Sequence, residues 1–246
     1  FTDAHIELER AYAQVKDNGQ VNMALCCDFL SRRLSLYTDV EQRYTFEERY
    51  AELLRHHDAS WINLWSATSA YYHALRGETD KIPEIFSQHR LSDVNILAPG
   101  KPMMEMIENQ VYLAEGAYAK VAGRSAELLA VCEAMHYALV ALHIRIQTAA
   151  AYEKLGKSEE AHACLKKALS DAAPDGFVMP FVENYAHLKP LLACEIKTEL
   201  VEKITNLGEA AERRRAESAH PAVFDVLTPR EFQIVELMAQ RLSNRE

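Results

Sequence analysis

The chain has 246 residues, 49% hydrophobic and 26% charged, which suffices for one large domain or for a domain with an appendage. Its formal net charge of −9 disfavours contact between the body of the chain and phosphate backbones. Its five cysteines show no C-x-x-C spacing, which favours reduced thiols over a zinc site or a disulfide framework.

Composition also predicts the fold class and the compartment. Only eight glycines and eight prolines occur, and long alternating runs of β-branched residues are absent, so we expect an all-α protein. No apolar run approaches the roughly 20 residues of a membrane span, and the start lacks the parts of a secretory signal. We therefore expect a cytoplasmic protein without a membrane partner. Because the first residue is Phe1 and not Met, we also expect a missing N-terminal portion.

Glycines predict the turns of a series of helical hairpins. Helical stretches are expected to end at Gly77, Gly123 and Gly156, with an earlier, weaker turn at Gly19, because glycine readily adopts the left-handed conformation after a helix. The clearest hairpin covers residues 139–173. It carries the small and bulky side chains Ala149, Tyr152, Ala161, Leu165, Ala168 and Leu169.

This hairpin resembles a tetratricopeptide repeat, which implies hairpins stacked in an α-α superhelix with a concave groove. In such repeats the first helix of each pair faces the groove. Mapping these positions onto the chain gives the candidate effector-groove residues Tyr71, Gln110, Lys120, His143, Glu153 and Lys154. Aromatic faces mixed with polar groups suit a small molecule such as a sugar, although for each residue taken alone core packing or solvation is the better explanation.

Motifs for catalysis are missing from the sequence. The loop 93–102 contains Gly100 and Lys101 but lacks the first glycine and the Ser or Thr of a phosphate-binding loop. No H-E-x-x-H or G-x-S-x-G occurs. We therefore predict that the chain is not an enzyme and that this fragment has no metal site and no cofactor.

The last twenty residues, LTPREFQIVELMAQRLSNRE, open a helix and announce a second. Thr228 is a good N-cap, Pro229 suits the first helical position, and Glu231 completes a capping box. Ser243 and Glu246 repeat that spacing. The stretch resembles the start of a LuxR-type DNA-binding domain, although Arg241 stands where that family usually has Gly. The resemblance assigns the start of the domain to Thr228, Pro229, Arg230, Glu231, Ser243, Asn244, Arg245 and Glu246.

A tetratricopeptide-like hairpin, the phrase APDGFVMPFVENYAHLKPLL at 173–192 and a LuxR-type start together resemble the MalT-like regulators. The resemblance implies a helical-repeat sensor at 1–217, a linker at 218–226 and an incomplete DNA-binding domain at 227–246. ATP is expected only at an N-terminal ATPase domain that precedes this fragment. DNA is expected to bind only through the completed C-terminal domain, and self-association is a further expectation. The alternative is a scaffold whose groove holds a peptide or a partner helix.

Overall fold

A computed structural model describes residues 1–18, 20–39, 42–56, 59–94, 96–219 and 230. These residues form twelve α-helices and contain no strand, which confirms the all-α prediction. The first six helices are α1 (Thr2–Asn18), α2 (Val21–Ser35), α3 (Phe46–His56), α4 (Ala59–Arg76), α5 (Glu84–Ser87) and α6 (Lys101–Ala114). The last six are α7 (Tyr118–Ala134), α8 (Ala138–Lys154), α9 (Ser158–Ala172), α10 (Met179–Glu183), α11 (Tyr185–Ala193) and α12 (Glu199–Ala219).

The chain divides into two compact units, residues 1–208 and 209–246. The first unit contains eleven complete helices and the beginning of α12. In the second unit the structure describes only the remainder of α12, through Ala219, and Arg230. The predicted linker begins inside this helix, at Ser218. Residues 220–226 of the linker and, apart from Arg230, the predicted DNA-binding start at 227–246 lie outside the described residues.

Left-handed residues end the helices of the two central hairpins, α6–α7 and α8–α9. Gly116 and Gly156 have φ values of 75° and 71°. After each of them a backbone N–H reaches back to the last turn, as Ala117 does to the Tyr112 carbonyl at 2.8 Å. This is the Schellman arrangement, which satisfies carbonyls that the helix leaves free. His136 takes the same conformation between α7 and α8, with φ 56°.

The predicted turns at Gly77 and Gly156 are confirmed, whereas the predicted turn at Gly123 is wrong. Gly77 follows α4 with φ 72°. Gly123 lies inside α7, because the chain has already turned at Gly116 and Val121 and Leu128 then pack on the buried face of that helix. Gly19 lies outside the described residues. The stacking of the hairpins in a tetratricopeptide-like superhelix stays a prediction.

Helix α8 lies at the centre of the first unit and packs against α6, α7, α9, α10 and α11. Ile144, Ile146 and the run Ala149–Ala151 are fully buried. A helix whose side chains are apolar or small around its whole circumference is typical of such an interior position. The polar side chains His143, Gln147 and Thr148 in the middle of α8 are therefore enclosed, and they require hydrogen-bond partners.

The N-terminal helices pack in sequence, α1 against α2 and α2 against α4. Leu8, Tyr12 and Val15 of α1 bury their side chains with Cys27 of α2. Asp28 joins three helices, since it accepts a hydrogen bond from the Tyr12 hydroxyl at 2.7 Å and one from Arg49 Nε of α3 at 2.6 Å. These contacts fix the first three helices relative to one another.

Candidate functional site

Four polar side chains from four helices meet in the interior of the first unit. Glu183 of α10 accepts a hydrogen bond at Oε1 from Arg33 Nε of α2, at 2.6 Å, and one at Oε2 from the Tyr71 hydroxyl of α4, at 2.8 Å. His143 of α8 places Nδ1 3.4 Å from the Tyr71 oxygen and 4.0 Å from Glu183 Oε2. We call these four residues the Glu183 cluster.

Local sequence explains why Glu183 faces inward. Gly176, with φ 63°, follows α9 and reverses the chain, and Pro180 lies in the first turn of α10. The short helix that follows buries Phe181 and Val182 completely or nearly so. Glu183 ends this five-residue helix, and its chain neighbours are buried, so its side chain is buried as well. A buried carboxylate then needs a cation nearby.

Burial and charge shift the protonation equilibria of the cluster. Burial raises the pKa of Tyr71 well above its ordinary value, and the adjacent Glu183 carboxylate raises it further. Burial alone would lower the pKa of Arg33, but Glu183 outweighs it and the pKa is raised. For His143, burial lowers the pKa from 6.5 to about 4, against an opposing contribution from Glu183. At neutral pH the cluster therefore holds one ion pair, one neutral phenol and one neutral imidazole.

Three amide side chains form a second buried relay beside the cluster. Gln147 Nε2 donates to Gln110 Oε1 at 3.0 Å, and Gln110 Nε2 donates to Asn184 Oδ1 at 3.1 Å. Asn184 in turn donates to the Pro180 carbonyl at 3.2 Å. The relay links α6 and α8 to the residue next to Glu183. It therefore holds the end of α10 in place and, with it, the carboxylate of the cluster.

A groove of about 840 Å³ opens onto the Glu183 cluster. Arg33, His143 and Glu183 line it, and we call it the Arg33 groove. Its walls are mainly apolar and come from α1, α2, α8, the segment 176–180 and α12. They include Leu8, Leu30, Leu34, Leu139, Phe177 and Leu207. Volume, apolar walls and a few convergent polar groups are the usual properties of a small-molecule site.

The charged side chains at the base of the Arg33 groove compensate one another. Arg33 is paired with Glu183, and the two other charged residues in the lining, Glu7 and Lys203, are exposed and of opposite sign. His143 is neutral at pH 7 because its pKa lies far below that value. Glu7 is paired with Arg10, which does not line the groove, at 2.6 Å. The base of the groove, formed by Arg33, His143 and Glu183, therefore presents hydrogen-bonding groups without an excess of either charge.

The structure brings three of the six predicted effector-groove residues together. Tyr71 and His143 belong to the Glu183 cluster, and Gln110 belongs to the amide relay beside it. All three are buried, and of the three only His143 lines the Arg33 groove. One predicted residue, His143, therefore faces the groove at its polar base.

The other three predicted residues lie elsewhere. Lys120 is exposed and places Nζ 4.8 Å from the centre of the Tyr112 ring, in a separate hollow of about 630 Å³ that Arg124 and Glu108 also line. Glu153 is half-buried and Lys154 is exposed, both in the last turn of α8. Neither residue lines the Arg33 groove.

Arg33, Glu183 and Lys203 were not among the predicted site residues. A local signal exists for two of them, since Arg33 occurs between apolar residues in FLSRRLSLY and Glu183 occurs in the apolar run MPFVENY. A charged residue within such a run is a candidate for a buried ion pair. Their pairing across 150 positions has no counterpart in sequence spacing.

Of the predicted DNA-binding start, the structure describes only Arg230, as an exposed helical residue. Thr228, Pro229, Glu231, Ser243, Asn244, Arg245 and Glu246 lie outside the described residues.

No protein-family model, curated protein or solved structure matches the chain. None of the described helices combines the length and apolar character of a membrane span. The described side chains also contain no group of three or more His, Cys, Asp and Glu that could hold a metal ion.

Proposed function

We propose that this chain is the sensor region of a LuxR-type transcription regulator, and that a small molecule bound in the Arg33 groove controls a C-terminal DNA-binding domain. The observation that carries the sensor half is the groove itself, whose polar base joins α2, α8 and α10. The DNA-binding half rests on the resemblance of residues 227–246 to the start of a LuxR-type domain.

The dimensions of the groove support a small-molecule ligand. A volume of about 840 Å³ lies within the range of roughly 300–1,000 Å³ that is typical of small-molecule sites. Apolar walls supply affinity, while Arg33 and His143 at the base supply direction through hydrogen bonds. A ligand seated there contacts side chains from both ends of the first unit, such as Leu8 of α1 and Leu207 of α12.

The proposed mechanism is a shift between two arrangements of these helices. A ligand shifts such an equilibrium only if it binds one arrangement more tightly than the other. A ligand that contacts α1, α2, α10 and α12 meets this requirement. A change in the spacing of these helices changes the shape of the groove and therefore the affinity for the ligand. In chain order α12 is followed by the predicted linker, so a displaced α12 is the proposed route to the DNA-binding domain.

A reporter assay tests this function in a chain extended to complete the DNA-binding domain. Ala4 of α1 is exposed and lines the Arg33 groove, so Ala4→Trp fills the groove with little effect on folding. Ala13 is also exposed on α1 and does not line the groove, so Ala13→Trp is the matched control. We expect Ala4→Trp to change reporter output at least tenfold, towards either constitutive activity or silence, and Ala13→Trp to leave it unchanged. Equal output from both variants and from the unsubstituted regulator would remove the basis of the proposal.

A further inference from the structure

We infer that the Arg33 groove selects an uncharged amphipathic molecule, with an apolar body and one polar end that accepts a hydrogen bond from Arg33 and donates one to His143. This inference rests on the proposed sensor function and adds the chemical class of the ligand. It follows from the hydrogen-bonding groups left open at the base of the groove and from the charges around them.

Arg33 supplies the donors. Within the described part of the chain, only its Nε has a hydrogen-bond partner, Glu183 Oε1. The guanidinium carbon lies 5.5 Å from the centre of the Phe29 ring and 5.7 Å from that of Tyr71, so the rings hold the planar group in place. Its two Nη amino groups carry N–H donors that are still available to an oxygen acceptor in the groove.

His143 supplies the acceptor. The single hydroxyl proton of Tyr71 is donated to Glu183, so the Tyr71 oxygen can only accept from the imidazole. The hydrogen bond to that oxygen forms in the tautomer that carries its proton on Nδ1, 3.4 Å away, and in this tautomer Nε2 keeps its lone pair. Among the described residues Nε2 has no hydrogen-bond partner. A hydroxyl or amide N–H of a ligand is the complementary group.

Charge complementarity excludes an ionic polar end. The Arg33 charge is already compensated by Glu183, with 2.6 Å between Nε and Oε1. A ligand carboxylate would bring a second anion next to Glu183, and a ligand ammonium would face Arg33. Either ion would lose its hydration without gaining a free counter-charge at the base. An uncharged carbonyl with an adjacent N–H or O–H avoids this cost and uses both open groups.

A matched series of probes tests the ligand class on the 246-residue chain. Octanamide, octanoate and octylammonium share one alkyl chain and differ in the charge of the polar end. We expect calorimetric titration at pH 7.5 to give octanamide a dissociation constant at least tenfold lower than either ion. Ala4→Trp should weaken octanamide binding at least tenfold, and Ala13→Trp should not. His143→Phe, which removes the acceptor, should weaken octanamide more than it weakens octanoate.

Three results would overturn the inference. They are binding of either ion as tight as that of octanamide, octanamide binding that Ala4→Trp leaves intact, and no binding of octanamide. The proposed function fails separately, because its reporter assay depends on filling the groove and not on the class of the probe. A reporter that responds to Ala4→Trp, beside a chain that ignores octanamide, would retain the sensor and reject the uncharged ligand.

Discussion

Glu183 uses both of its carboxylate oxygens although its side chain is only 1% exposed. The ion pair with Arg33 links α10 to α2, and the Tyr71 hydroxyl links it to α4. Removal of one member of a buried pair leaves the other charge uncompensated, which costs more than the pair itself contributes. The stability of the cluster therefore depends on keeping Arg33 and Glu183 together.

We expect Glu183→Gln to lower the free energy of unfolding by about 3 kcal/mol, because the Arg33 charge loses its partner. The double variant Arg33→Met with Glu183→Gln should recover part of this loss, since no buried charge then remains. Urea unfolding at pH 7 measures both values. A double variant less stable than Glu183→Gln alone would show that Arg33 stabilises the fold by packing and not through this pair.

The titration of His143 predicts how stability depends on pH. Its pKa is lowered from 6.5 to about 4 in the folded chain, so between these values the unfolded chain binds a proton that the folded chain does not. Stability from this residue is complete above pH 6.5 and is lost as the pH falls towards 4, by roughly 3 kcal/mol in total. The charged groups that face the ring are Glu183 and Arg33, with Glu7 and Lys203 along the groove.

We expect His143→Gln to flatten the loss of stability between pH 6.5 and pH 4. The other titrating residues, including His73 with its lowered pKa, act in both chains and cancel in the difference. Urea unfolding at half-unit steps of pH gives that difference. Parallel curves for the two chains would show that His143 binds its proton equally well in the folded and unfolded states.

At the scale of the helices, the turns between them depend on residues in the left-handed conformation. Gly116 and Gly156 adopt it at no steric cost, whereas His136 adopts it with a side chain, at a cost of roughly 1 kcal/mol. His136 is exposed, so its replacement disturbs no buried contact. The turn between α7 and α8 is therefore the strained member of the series.

We expect His136→Gly to raise the free energy of unfolding by about 1 kcal/mol and Gly156→Ala to lower it by a similar amount. Both residues end a helix with nearly the same φ, so each substitution is the control for the other. Thermal or urea unfolding measures the two changes. Changes of opposite sign in the free energy of unfolding support the left-handed conformation at both turns. A loss of stability in His136→Gly would contradict it.

Helices α11 and α12 approach so closely that no side chain fits at Gly208. A Cβ added there would overlap the ring of Tyr185, which is buried. Gly208→Ala should therefore destabilise the chain by about 1–3 kcal/mol, although alanine is the better helix former. Gly123, inside α7, has open space around its Cα, so Gly123→Ala should stabilise by up to about 1 kcal/mol. If both substitutions stabilise equally, the close approach at Tyr185 is absent.

Helices and several turns were predictable from sequence because their signals are local. Gly77 and Gly156 follow apolar helical stretches and do end them. The position of the turn that lies between Gly77 and Gly156 was not predictable. Gly116 and Gly123 are both possible turn residues within one short stretch, and tertiary packing decides which of the two ends the helix. Once Val121 and Leu128 are buried on one face, α7 must run through Gly123, where a glycine costs only about 1 kcal/mol.

The candidate site was predictable in part. Repeat offsets selected Tyr71, Gln110 and His143, and the structure buries all three, Tyr71 and His143 in the Glu183 cluster and Gln110 in the amide relay. The same offsets failed to bring in Lys120, Glu153 and Lys154, which lie at helix ends or on another face. Arg33 and Glu183 meet only because helices from opposite ends of the first unit pack on one another, and no spacing along the chain encodes that contact.

At the scale of the whole first unit, α1, α2, α8, α10 and α12 meet at one groove. Its base is a polar cluster in which Arg33 and Tyr71 hold Glu183, while the Nη groups of Arg33 and Nε2 of His143 stay open to a ligand. Its walls are apolar and come from segments far apart in sequence. Under the proposed sensor function, a ligand in the groove contacts several helices at once, so its binding energy can bias their arrangement.

Hydrogen exchange of the chain with and without saturating octanamide tests whether a ligand in the Arg33 groove stabilises several helices together. Exchange reports local opening, so a ligand that joins several helices slows it in those helices. We expect slower exchange in α2, α10 and the first half of α12, with little change around the separate hollow that Lys120 and Arg124 line. Unchanged exchange in these helices, or protection confined to residues outside the Arg33 groove, would contradict the account.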